Sequence, residues 1–171
     1  MSLAGAMSAY HASDWSDFGV ALVGAAAALV GLLFVAMSIN LERIVSYPTL
    51  PARAGSALVL FSFPLVVGIC LLIPDQATAA LGAEFVAIGL IVGAVLLRLN
   101  RPALRAEQER RVSWLLGRLL PSIAIPILVL VAGATVLAEA GGGLYWIPAA
   151  VVLAFCAGLS SAWVLLVEIL R

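Results

Sequence analysis

The sequence predicts an all-α integral membrane protein: one domain over residues 1–171, built as a bundle of five transmembrane helices with the N-terminus outside and the C-terminus inside. Three observations lead to it. Of the 171 residues, 64% are hydrophobic and 11% charged, against roughly 45–50% and 25% in an average soluble domain. Charge-free runs cover residues 18–41, 54–74, 119–138 and 140–167, and a further run, 77–97, is interrupted only by Glu84. A hydrocarbon core of about 30 Å takes about 20 helical residues, and in lipid the backbone must satisfy its own polar groups, so these runs are helices. The third observation is the placement of the nine basic residues, all of them Arg.

Residues 1–17 contain no basic residue and so lack the positive region of a secretory leader. His11, the only histidine, lies there without a second metal ligand nearby, so it reads as a solvated loop residue and no metal site is expected. The first span is about 18–41. Ala21, Gly24, Ala28 and Gly31 recur at helical spacing along it, with Ser38 beyond them. Such a stripe lets another helix approach closely.

The span ends in Ser38, Asn40, Glu42 and Arg43. One reading is a helix end that satisfies its own carbonyls and anchors at the headgroups. The other is the polar inner mouth of a pathway. The segment Gly31 to Ile44, G-L-L-F-V-A-M-S-I-N-L-E-R-I, resembles one shared by small multi-pass inner-membrane proteins of high-GC bacteria. The resemblance implies a bacterial cytoplasmic membrane and lends no activity.

Pro48 and Pro51 make the next link stiff and non-helical. The second span is about 52–73, with Pro64 predicting a kink. Pro74-Asp75-Gln76 is a tight turn, which makes the second and third spans antiparallel neighbours. The third span, about 77–97, carries Glu84 and then Gly89 and Gly93 as a GxxxG packing face. Asn100-Arg101-Pro102 breaks the chain. Residues 102–118 read as a surface helix running into the fourth span, about 119–138, where Pro121 and Pro126 predict a bend. Arg101, Arg105, Arg110, Arg111 and Arg118 suit anionic lipid headgroups on the cytoplasmic side. The fifth span is about 144–167, after a turn through Gly141-Gly142-Gly143.

With the N-terminus outside, every arginine (43, 53, 98, 101, 105, 110, 111, 118 and 171) falls on the inner side. Asp14, Asp17, Asp75 and Glu139 fall outside, as the positive-inside rule requires. Trp15 and Trp146 belong to the outer interface, Trp114 and Trp163 to the inner one.

Glu84 lies about seven residues into its helix, about 10 Å below the helix start. That is the outer half, where the chain has no arginine. An isolated carboxylate in low dielectric costs far more than a proton does. Three solutions stay open: a protonated carboxyl bonded to a neighbour such as Thr135, a water-filled cavity, or a ring of copies from several subunits that binds a cation or shares protons.

Catalytic equipment is thin. There is no Lys, which excludes a Schiff-base retinal or pyridoxal site, and no HExxH, CxxC, Walker loop or GxSxG. No cofactor is expected. Cys70 and Cys156 differ in depth by more than a disulfide can span, and both read as buried apolar residues. Zero net charge gives no case for nucleic acid. Two functions remain in view. One is a non-enzymatic membrane component that self-associates or joins a membrane complex. The other is a homo-oligomeric cation or proton channel using Glu84.

Overall fold

The structure, a computed structural model, describes residues 9–101 and 114–170. Its elements are helices: α1 Ser16–Ile39, α2 Leu41–Ser46, α3 Leu50–Leu71, α4 Thr78–Leu99, α5 Leu120–Leu137 and α6 Trp146–Leu170. Among the described residues there is no strand. Five helices are long and apolar enough to cross a membrane, so the chain is a multi-pass membrane protein. The observed spans sit within a few residues of those read from hydropathy. Most of the expected surface helix, residues 102–113, lies outside the described residues.

Four of the five spans close a ring in the order α3, α4, α5, α6 and back to α3. Its centre is packed with Val67, Phe85, Ile125, Val129, Ile147 and Ala154, each 0% exposed. The remaining span, α1, lies outside the ring against α3. Only 17% of its apolar window is buried, against 56% for α3. Leu33 of α1 meets Ala57 and Phe61 of α3 in a smaller cluster that Phe155 of α6 joins.

Local chemistry explains the breaks. Asn40 ends α1 by turning its Nδ2 back onto Ala36 O at 2.9 Å. The chain resumes at once as α2. Ile44 of α2 is buried against Leu50, Ala54 and Leu165, which ties α2 to the start of α3 and the end of α6. Asp75 adopts φ +50° in the turn between α3 and α4, a conformation that short polar side chains tolerate. Before α5, residues Leu115–Leu119 form a π-helical turn. Pro121 has no N–H to offer the preceding turn, so the chain rewinds there rather than leaving a regular bond unmade.

The turn into α6 depends on glycine. Gly141, Gly142 and Gly143 have φ of +84°, +105° and +52°, values that cost other residues dearly. A Cβ on Gly143 would also collide with Ala9 O and the Tyr10 ring. That approach lets Leu144 N–H donate to Ala9 O at 2.8 Å, tying the N-terminal segment to the α5–α6 turn.

Candidate functional site

Glu84 projects from α4 into its seam with α3. Its neighbour there is Cys70, whose thiol lies within electrostatic and hydrogen-bonding reach of the carboxyl. The tight Pro74–Gln76 turn explains the meeting: it folds the last turn of α3 back against the start of α4. Glu84 is partly buried. Its Oε2 is fully buried and has no hydrogen-bond partner among the described residues.

Thr135 does not supply the bond that the sequence suggested. Its hydroxyl lies 2.6 Å from Val131 O and 3.0 Å from Ala132 O, on its own helix. A threonine has one O–H to donate, and a helix carbonyl one turn back captures it. The residue that sequence reasoning missed is Cys70, which was read as a plain apolar filler. Cys156, read likewise as buried, is exposed on the surface of α6.

Above the seam, on the side of the α3–α4 turn, lies a cleft of about 480 Å³. Tyr10, His11, Ser13, Asp75, Gln76 and Thr78 give it a polar wall, and Leu81 lines its inner limit. Leu81 is 1% exposed and sits one helical turn before Glu84. The lining of the cleft along α4 stops there, one turn short of Glu84. Below Glu84, α4 buries Phe85, Val92 and Leu96, so the interior of one chain is apolar from there to Asn100.

Asn100, at the end of α4, holds a second polar group. Its Nδ2 donates to Leu96 O at 3.0 Å and to Ser122 Oγ of α5 at 2.9 Å. Its Oδ1 accepts from Arg118 Nε at 2.9 Å. Ser56 of α3 lies 3.4 Å from the same oxygen. Ser122 in turn donates to Arg118 O at 2.6 Å. Asn100, Ser56, Ser122 and Arg118 are all buried, so this network joins α3, α4 and α5 at the arginine end.

Arg118 is thus corrected from lipid contact to interior tie. It is 9% exposed, because the π-helical turn and Asn100 draw its stem inward. Trp114, expected at the interface, is buried as well. Arg101 is exposed. Arg105, Arg110 and Arg111 lie outside the described residues.

The expected polar mouth does not converge. Ser38 donates to Phe34 O at 2.8 Å and Asn40 to Ala36 O, each on its own helix. Glu42 and Arg43 are exposed.

The packing glycines divide into two groups. Gly89 and Gly93 are buried against Leu130 and Pro126 of α5, so the GxxxG face is occupied within the chain. Gly24 and Gly31 of α1 have open space where a Cβ would stand. Ala21 and Ala28 on the same helix are exposed too. Within one chain α1 packs through Gly19, Leu22, Ala26 and Leu33 instead. Gly68 of α3 makes room for this contact: a Cβ there would lie 2.7 Å from Val23 Cγ2 and 3.1 Å from Gly19 O.

No family model, curated protein or solved structure matches the chain.

Proposed function

We propose that this protein is a non-enzymatic membrane component that self-associates through α1. The observation that carries the reading is the open stripe of Ala21, Gly24, Ala28 and Gly31. Small residues favour helix contact in lipid because close backbone approach supplies the van der Waals energy that hydrophobicity cannot. The glycines of α4 serve the chain's own bundle; Gly24 and Gly31 of α1 face outward. The reading places the protein in a bacterial cytoplasmic membrane, N-terminus outside, with its arginines on the cytoplasmic side near anionic headgroups. The arginine placement and the likeness of Gly31–Ile44 support this.

The test is stoichiometry in a bilayer, by single-molecule photobleaching of labelled protein at low density. Wild type should bleach in more than one step, and the Gly24→Leu, Gly31→Leu double variant in one. A wild type that is monomeric at every density would end the self-association reading.

A second reading is favoured by one observation, the buried Oε2 of Glu84, which has no hydrogen-bond partner among the described residues. In it, copies of the chain bring their Glu84 carboxyls to a shared cation or proton path. Liposome flux that Glu84→Gln abolishes, with assembly intact, would promote it over the first. Flux equal in both proteins would exclude Glu84 as its carrier.

A further inference from the structure

The seam between α3 and α4 continues below Glu84 as a groove of about 310 Å³. Its walls are Leu58, Val59, Ser62 and Val66 of α3, and Ile88, Ile91, Val92 and Val95 of α4, with Phe63 behind. The two helices meet less closely here than α4 meets α5, where glycines allow backbone contact. Gly55 of α3 meets Leu99 of α4 at the far end, but residues 58–66 of α3 contain no glycine, so larger side chains hold the helices apart along the groove.

The α4 wall has a regular register. Glu84, Ile91 and Arg98 are spaced by seven residues, which returns a side chain to nearly the same face. Ile88 and Val95 fall between them. This face therefore carries an acid at one end, an apolar groove in the middle, and an exposed arginine at the other end.

We propose that this groove holds one phospholipid with an anionic headgroup, drawn from the leaflet at the arginine end. Its phosphate sits on Arg98 and one acyl chain lies in the groove. Length argues for this occupant. Ile88 to Arg98 is ten residues, about 15 Å of helix, and one leaflet's share of a hydrocarbon core of about 30 Å is the same. Charge argues for it too: Arg98 is exposed and lies seven residues beyond the groove-lining Ile91, on the same face of α4. A second copy packing on this face would need small side chains at Ile88, Ile91 and Val95. The inference does not rest on self-association through α1.

The test is native mass spectrometry of protein released from nanodiscs made of equal POPG and POPC. Wild type should retain one POPG in preference to POPC by about fivefold, the effect of one basic residue near the headgroups. Arg98→Gln should abolish the preference. Ile91→Trp should remove the lipid altogether; Ile91 is 63% exposed, so the larger ring fills the groove and leaves the core intact. Ser62→Phe fills the groove from the α3 side and should do the same. Equal retention of POPG and POPC by wild type would overturn the proposal. So would a POPG preference that survives Arg98→Gln, or a bound lipid that survives both groove-filling variants. A lipid-free dimer that Ile91→Trp returns to monomer would overturn it in favour of a second copy.

Discussion

Gly82 of α4 and Gly133 of α5 face each other, and a Cβ on Gly133 would stand 2.8 Å from both Gly82 O and Val86 N. No rotamer relieves such a clash, because the obstruction is backbone. Gly133→Val should therefore force α4 and α5 apart and cost about 1–3 kcal/mol, the usual range for overpacking a tight core. Gly24→Val, with open space around it, should leave the unfolding of a single chain unchanged. Reversible unfolding in mixed micelles separates the two; equal losses would show that α4 and α5 do not meet as described.

Asn100 is the centre of the network that joins three spans. Asn100→Leu removes its bonds to Ser122 and Arg118 at once and leaves Arg118 buried. Interhelical hydrogen bonds in membranes average about 0.6 kcal/mol and reach about 1.7. The variant should lose about 1–3 kcal/mol in the same assay, while Ser122→Ala should lose less than half of that. A neutral Asn100→Leu would mean that the network contributes nothing net.

Glu84→Gln conserves shape and deletes a charge. Oε2 has no hydrogen-bond partner among the described residues, and Gln keeps an oxygen that the Cys70 thiol can face, so the substitution removes the charge without removing the acceptor. The variant should unfold at the same denaturant concentration as wild type or higher. A clear drop would show that the fold depends on the charge of the carboxylate.

Phe61 and Gly158 form a ring-on-backbone contact between α3 and α6. A Cβ at Gly158 would lie 2.5 Å from Phe61 Cε1, and Phe61 is 3% exposed. Gly158→Ala should destabilise by about 1 kcal/mol or more. Phe61→Leu in the same chain should recover part of the loss, since it removes the obstructing edge. Independent, additive losses would show that the two residues do not touch.

The sequence by itself determined the number and boundaries of the spans, because a hydrocarbon slab demands long apolar helices and admits little else. It also marked Glu84 as the one carboxyl deep in an apolar run, since a charge there stands out against its neighbours. What it left open is which faces meet. In a soluble helix the buried face is apolar and the exposed one polar, so periodicity reveals the contact. In lipid both faces are apolar, and contact depends on shape alone. That is why Gly89-x-x-x-Gly93 and the Gly24–Gly31 stripe read alike, although one is filled by α5 and the other is open. It is also why Cys70, an ordinary residue in an apolar run, became the neighbour of Glu84 only through the α3–α4 turn. Arg118 reads as a surface charge until Asn100, eighteen residues earlier, accepts its Nε–H in the interior. Only the tertiary structure could decide these pairings, because each joins two helices whose sequences carry no record of the other's position.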